Sequence, residues 1–283
     1  MKQIVIFGAG QAGRALYRMM HHTNQRVVAF ADNNPAVVGQ TIDGIPIVSL
    51  MKAAELRPDG IQIAIVNPDA CEEVEQRLRA AGYQGEIARM SVLREQINIR
   101  LATVRLMAEE VRRRNVPGAL AELGVYQGEF AAELNRLFPD RSFYLFDTFS
   151  GFDERDVSVE QHSQAKAGDF QDTSVELVLD RLPHPEMAIV RQGYFPATAQ
   201  GLEDQRYAMV SLDADLYLPM YEGLQYFYPR MSPGGYIILH DYNSRQYRGA
   251  GEAVQKYCEE HHVFLFPLCD LHGTGVLVKP QVG

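Results

Sequence analysis

The chain has 283 residues, 46% of them hydrophobic, and a formal net charge of −9. That length is long for one domain and comfortable for two, and the acidic balance argues against a general binder of nucleic acid or anionic membrane, since either wants a basic surface. Cys71, Cys258 and Cys269 are odd in number and lack CxxC spacing, which argues against a disulfide framework or a zinc site and makes a reducing cytoplasm the expected compartment.

The N-terminus enters a strand at once in IVIFGAG (4–10), with Arg14 and Arg18 soon after, so it does not read as a signal peptide. No apolar run approaches the ~18 residues needed to span a bilayer, and a soluble intracellular chain is expected. A helix opens near Gln11 with Ala15, Leu16, Met19 and Met20 at helical spacing. VVAFAD (27–32), IPIVSL (45–50) and IQIAIV (61–66) read as further strands, then a helix from about Asp69 to Ala81 and a short EIARMS strand. Strands alternating with helices predict a parallel, doubly wound sheet. The charged stretch from Leu93 to Asn115 has no Gly or Pro and reads as a connecting helix, ended by VPG at 116–118.

The βα rhythm then restarts. LAELGV (120–125), FYLFDTF (143–149), MAIVRQG (187–193), AMVSLDAD (208–215), YIILHDY (236–242), VFLFPL (263–268) and TGVLVKP (274–280) make seven strand candidates. Only CDLHG separates the last two, which therefore read as an antiparallel pair at the sheet edge. The expected architecture is α/β with two doubly wound Rossmann-like domains: residues 1–92, a connecting helix at 93–117, and 118–283. A seven-strand, mostly parallel sheet with one reversed strand is similar to that of class I methyltransferases. The polar stretch 151–174 suits a lid over a site.

In the first domain, GAGQAG places Gly8, Gly10 and Gly13 in GxGxxG spacing between a strand and a helix, and Asp32 ends the next strand about twenty residues on. That pattern lets a backbone approach a phosphate, with the acid on a ribose hydroxyl; it equally lets a strand turn into a helix. Residues 33–104 contain no Tyr-xxx-Lys pair and no histidine, so a proton relay for oxidoreduction or epimerisation is missing. ADNNPAVVGQTIDGIPIVS resembles the small Rossmann domain of CoA-binding proteins and of chains in which it precedes a sugar-modifying enzyme. The resemblance covers about residues 2–90 and implies a recognition module for a nucleotide-sugar or CoA-like group.

In the second domain, ELGVYQGEFA sets Glu122 at a strand end, with Gly124 and Gly128 opening a helix, the E-x-G-x-x-x-G pattern of an S-adenosylmethionine loop. Glu122 can neutralise the ligand's ammonium group, and Asp147, ending the next strand, can accept both ribose hydroxyls or cap the loop that follows it. Gly193 frees the backbone for close approach, and Tyr194 or Phe195 could flank an adenine face or be core. Asp213 and Asp241 end neighbouring strands beside His240. Carboxylates converging there repel one another unless a hard divalent cation sits among them, and oxygen ligands favour Mg2+. Asp215 reads as a cap for the LYLPMYEGL helix. His272 reads as part of a turn, and His21, His22, His261 and His262 as surface residues.

LDADLYLPMYEGLQYFYPRMSPGGYIILHDY resembles the macrocin O-methyltransferases, enzymes dependent on S-adenosylmethionine and Mg2+ that methylate sugar hydroxyls on macrolide and aminocoumarin antibiotics. ELGVYQGEFA, FDTFSGF, QGYFPAT and SPGG match in the same order over roughly residues 105–280. The resemblance implies Asp213 as a metal ligand and general base, Asp241 as a second ligand, and Glu122 and Asp147 as cofactor ligands. It also implies self-association into a homo-oligomer. One position departs: the family has two aspartates before the tyrosine, and the first is here His240. An imidazole ligates Mn2+, Fe2+ or Zn2+ better than Mg2+, or can itself take a proton. The expected function is a cytoplasmic O-methyltransferase acting on a small-molecule glycoside or a nucleotide- or CoA-linked sugar. The alternatives are an NAD-dependent oxidoreductase or epimerase using the first domain, and a non-catalytic ligand sensor.

Overall fold

A computed structural model describes residues 1–20, 23–92, 97–160, 165–243, 247–270 and 273–281. The chain divides into two compact units, one of residues 1–99 with 269–271, the other of 100–268 with 272–283.

In the first unit the strands are β1 (Lys2–Phe7), β2 (Gln25–Ala31), β3 (Thr41–Ile42), β4 (Ile45–Val48), β5 (Gly60–Ile63) and β6 (Glu86–Arg89), lying side by side as β3-β4-β2-β1-β5-β6. From β4 to β6 every neighbouring pair is parallel, as alternating strands and helices require. The sequence reading omits β3, which forms an antiparallel hairpin with β4 through Asp43 and Gly44. Both turn residues have positive φ, 49° and 79°, the conformation for which Asp-Gly is suited in a two-residue hairpin. The helix predicted from Asp69 spans Pro68–Ala80, fixed by Asn67, whose Oδ1 accepts from the Ala70 N–H at 3.0 Å, with Pro68 in the first turn. The sheet is covered on both faces, by a cluster around Val5, Phe7, Ile61 and Leu78 and another around Ile6, Phe30 and Ile47.

The second unit holds β7 (Ala119–Leu123), β8 (Phe143–Asp147), β9 (Ala188–Gln192), β10 (Tyr207–Leu212), β11 (Met231–Leu239), β12 (Phe266–Pro267) and β13 (Gly275–Val278). They lie as β12-β13-β11-β10-β7-β8-β9, with β13 antiparallel to both neighbours and the rest parallel. This is the seven-strand sheet with one reversed strand that the sequence predicts. β12 is shorter than its apolar run: only Phe266 and Pro267 pair, and Pro267 has no N–H to give. Every residue of β7 and β10 is buried, as in a sheet covered on both faces. The helix Ile99–Arg113 falls in this unit, its Val104, Ala108 and Val111 packing with Leu120, Ala208 and Met209.

Strand order reverses between β7 and β10, which opens a crevice beyond their carboxyl ends. Gly124, just past β7, has φ +83°, and a Cβ there would lie 2.1 Å from the Asp213 carbonyl oxygen. Gly8 meets the same limit past β1, where a Cβ would lie 2.9 Å from the Ala64 carbonyl oxygen. Each sheet thus admits only glycine where its first loop crosses the next strand tip. Gly124→Ala is expected to destabilise the chain by on the order of 2–4 kcal/mol, from overpacking added to left-handed strain. Gly201→Ala, where φ is +82° but no atom lies within 4 Å of the new Cβ, should cost about 1 kcal/mol. Urea melts of the two variants would test the difference.

Candidate active site

Strand register sets the site. Leu212 of β10 pairs with Leu123 of β7 on one side and Leu239 of β11 on the other. The next residue of each strand, Gly124, Asp213 and His240, therefore emerges at one level, directly on the crevice. The Asp213 N–H donates to the Leu123 carbonyl at 2.8 Å and the His240 N–H to the Leu212 carbonyl at 2.9 Å, extending the ladder to that point.

Side-chain donor atoms of Asp213, Asp215, His240 and Asp241 all lie within 4.8 Å of one another. His240 Nδ1 is 2.9 Å from Asp213 Oδ1 and 2.5 Å from Asp241 Oδ2. Because ionised carboxylates only accept, that nitrogen carries a proton in this arrangement. Arg100 approaches from the other side, with Nη1 3.4 Å and Nη2 3.5 Å from Asp213 Oδ2. Burial opposes ionisation of both members of the His240–Asp213 pair. Their mutual attraction overrides it, raising the imidazole above its ordinary pKa and holding the Asp213 carboxyl well below the usual range. Asp215 goes the opposite way: burial, then the charges of Asp213 and Asp241, push it well above the carboxylate range. Asp215 and Asp241 also sit in the left-handed region, at φ 58° and 52°.

The cap expected of Asp215 is not made. The helix Tyr217–Arg230 follows Leu216 without a side-chain cap from its flanking residue, and the Tyr217 N–H donates instead to Glu160 Oε1 at 2.6 Å. With its backbone turned left-handed, Asp215 joins the acidic cluster. His272, His21 and His22 lie outside the described residues.

Glu122 sits within β7 at 1% exposure, and its Oε2 has no hydrogen-bond partner among the described residues. Burial drives its carboxyl well above the ordinary range; Asp213 adds to that shift and Arg100 opposes it. Asp147, at the end of β8, accepts from the Val125 and Tyr126 N–H groups at 2.7 and 2.9 Å and from the Phe149 N–H at 2.7 Å. It holds both the glycine loop and the loop after its own strand. Gly128 precedes the helix Glu129–Leu137, and Gly193 follows β9. Of the two aromatics after it, Phe195 is core, packed on Phe146 and Phe227. Tyr194 donates its hydroxyl to Asp156 Oδ1 at 2.7 Å and lies under the Arg155 guanidinium, 3.5 Å from ring centre to Cζ.

The first unit repeats part of this design. Asp32 accepts from the Ala9 N–H at 2.9 Å and the Asn34 N–H at 2.8 Å, as Asp147 does for its two loops. Gly13 is fixed by packing, since a Cβ there would lie 1.8 Å from the Gly8 oxygen, whereas nothing lies within 4 Å of one on Gly10.

Sequence reasoning missed Arg100. It is 5% exposed, lies 3.9 Å over the Phe130 ring centre, and among the described residues is the cation closest to Asp213 besides His240. The signal was present: Arg100 shares a helical stripe with Val104, Ala108 and Val111, the spacing of an apolar face, so a charge in that row has to be buried.

A doubly wound sheet of this order, with a glycine loop at its switch point and acids on the adjacent strand tips, has the architecture of a Rossmann-type methyltransferase. A family model described as macrocin O-methyltransferase (TylF) matches residues 62–279, and one described as C2185-like, N-terminal, matches residues 1–87. The chain belongs to the macrocin O-methyltransferase family and is an O-methyltransferase. It is 28% identical over 191 residues to 8-demethyl-8-(2,3-dimethoxy-alpha-L-rhamnosyl)-tetracenomycin-C 4′-O-methyltransferase of Streptomyces olivaceus, covering 62% of this chain and 71% of that protein. The solved structure of the O-methyltransferase NovP is similar at TM-score 0.53 and 25% identity, covering 64% of this chain and 80% of that one. The first unit is similar to the redox-sensing transcriptional repressor Rex of Latilactobacillus sakei, 33% identical over 87 residues, 29% of this chain and 42% of the repressor. Among the described residues no helix is long and apolar enough to cross a membrane.

The charge balance makes a direct prediction. Asn is the isostere of a neutral Asp, so Asp215→Asn should leave stability within about 0.5 kcal/mol of wild type. His240→Leu leaves Asp213 and Asp241 short of a partner and should cost about 3 kcal/mol at neutral pH. Equal losses for the two variants in urea melts would contradict this charge assignment.

Proposed function

We propose that the second unit transfers a methyl group from S-adenosylmethionine to a hydroxyl of a sugar or glycosylated metabolite, assisted by a divalent cation. The observation that carries this reading is the convergence of Asp213, Asp215, His240 and Asp241 within 4.8 Å, beside a glycine loop whose strand contains the buried Glu122. Transfer to a sugar is supported by the rhamnosyl 4′-O-methyltransferase to which the chain is similar.

The residues suit the donor. Glu122 is a buried acid whose Oε2 has no hydrogen-bond partner among the described residues, an acceptor free for an ammonium group. Asp147 stands at the strand end where a ribose binds in open α/β sheets, its carboxylate fixed by three backbone N–H groups. S-adenosylmethionine supplies a methyl group activated by its sulfonium charge. The protein supplies alignment and a path for the acceptor's proton. We assign Asp213 to receive that proton: its carboxylate is ionised, and the His240 Nδ1–H, shared with Asp241, orients it.

The donor set also suits a divalent cation. Three carboxylates and an imidazole crowd one another, and Asp215 is driven toward its neutral form in their presence. Asp213, His240 and Asp241 are the residues that would hold the ion, the imidazole giving up its Nδ1 proton to do so, and a bound cation would polarise the acceptor hydroxyl. His240 makes the set softer than three carboxylates. Chelation should therefore abolish transfer of labelled methyl to glycoside acceptors, with Mn2+ restoring it better than Mg2+ and His240→Asp reversing that order. Asp213→Asn should lower transfer by about 10²-fold or more with donor binding retained. Full activity in the Asn variant would remove the assigned base, and full activity in chelator would remove the cation.

For the first unit we infer a nucleotide-linked ligand. Asp32 borders a cleft of about 320 Å3 that also involves Ser49, Leu50 and Arg77, and open space faces Gly10 at the same strand edge. We assign methyl transfer to the second unit, which holds the acidic strand tips, and an oxidoreductase would need a proton relay that residues 33–104 lack. Calorimetry with nucleotide sugars, CoA and NAD+ should give binding that Asp32→Ala weakens about tenfold or more; no binding by any of the three would refute the inference.

A further inference from the structure

Two buried polar groups border the crevice without full partners, an acid and a guanidinium. Glu122 Oε2 accepts no hydrogen bond among the described residues, and neither does Arg100 Nε–H donate one. Both side chains are almost wholly buried, Glu122 at 1% and Arg100 at 5% exposure. Leaving either unsatisfied in a folded interior is costly, and native proteins do so rarely. The two do not satisfy each other, although Arg100 is near enough to oppose electrostatically the upward shift of the Glu122 carboxyl.

Arg100 is also held in a definite pose. Its guanidinium lies 3.9 Å over the Phe130 ring, which fixes its plane, and its two Nη atoms reach Asp213 only at 3.4 and 3.5 Å. Those contacts are at the long limit for a hydrogen bond, well beyond the ordinary length of a charge-assisted one. A guanidinium has five N–H donors in a rigid fork, and Asp213 engages them loosely while Nε is unused.

A group carrying an ammonium and a carboxylate on one carbon would satisfy both orphans together. We propose that Arg100 and Glu122 form a clamp for the amino-acid end of the methyl donor, with the Arg100 guanidinium taking its α-carboxylate and Glu122 its ammonium. The proposal rests on the reading of this crevice as the S-adenosylmethionine site and adds to it the carboxylate-binding residue. It gives the buried charge on the helix Ile99–Arg113 a purpose: that helix supplies half of the recognition of a ligand seated on the strand tips. It also explains why Phe130, in the helix that the glycine loop opens, stacks on a residue about thirty positions earlier in the chain.

The test compares ligands that differ by one group. Calorimetry on the full chain would measure S-adenosylmethionine, decarboxylated S-adenosylmethionine and 5′-methylthioadenosine against wild type, Arg100→Met and Arg100→Lys. Wild type should prefer S-adenosylmethionine over its decarboxylated form by about 10- to 100-fold, the worth of a charge-assisted pair. Arg100→Met should erase that preference with 5′-methylthioadenosine binding unchanged, and Arg100→Lys should keep part of it. The wild-type preference is read without any variant, so a misfolded substitution does not spoil the test. Equal wild-type affinity for the carboxylated and decarboxylated forms would overturn the clamp alone. So would an Arg100→Met variant weakened equally for all three ligands, since that is what a structural arginine would give. Binding of none of the three by wild type would overturn the donor reading and the clamp with it.

Discussion

The second unit depends on how charge is balanced at the tip of β10. Asp213 lies where three strands end at one level, and it ionises there only because His240 Nδ1 and the Arg100 guanidinium approach it from opposite sides. Its neighbours follow from that choice. Asp241 shares the imidazole proton, Asp215 is left near neutrality, and Glu122 feels Asp213 through the sheet. A cluster of four acids with fewer cations would unfold the edge it sits on. With these two cations the buried carboxylates at the edge keep partners of opposite charge.

The two sheets solve one mechanical problem in the same way. Each parallel sheet reverses its winding between the first strand and a later neighbour, and a loop must cross that neighbour's tip at backbone distance. Gly8 against Ala64 and Gly124 against Asp213 are the two crossings. In each, an acid at the end of the adjoining strand, Asp32 or Asp147, accepts N–H groups from the crossing loop. The shared crossing accounts for Gly8 and Gly124 without any ligand, whereas packing places no such demand on Gly10. What separates the halves is the far tip: β10 continues into a cluster of ionisable groups, β5 into Ala64 and an apolar run.

Much of this was legible in the sequence because strand ends are marked by abrupt changes in residue type. IVIFGAG, LAELGV, SLDAD and IILHD each pass from continuous apolar residues to glycine or acid, and each break falls at a real carboxyl edge. The sequence reading finds β4 and overlooks its hairpin partner because β3 is only two residues long, although the Asp43–Gly44 turn dipeptide is a strong signal. Arg100 escaped because its partner lies 113 positions away, a separation that local periodicity does not reach. Asp215 was read as a helix cap because acids so often are; Glu160 from the polar stretch 151–174 takes that place. Local pattern located the edges, and tertiary charge balance decided what stands on them.

Asp215 and Asp241 carry the left-handed backbone noted above, with φ of 58° and 52°, and so do Tyr126 and Phe149 beside the crevice. For side chains larger than glycine each such position costs on the order of 1–3 kcal/mol. A selection for heat resistance would therefore find gains by trading Tyr126 or Phe149 for glycine, whereas the two aspartates tolerate that backbone and are tied into the charge balance. Those gains would fall on the two loops that Asp147 ties together beside the crevice, so a firmer backbone there would be gained at the cost of the loops' present shape.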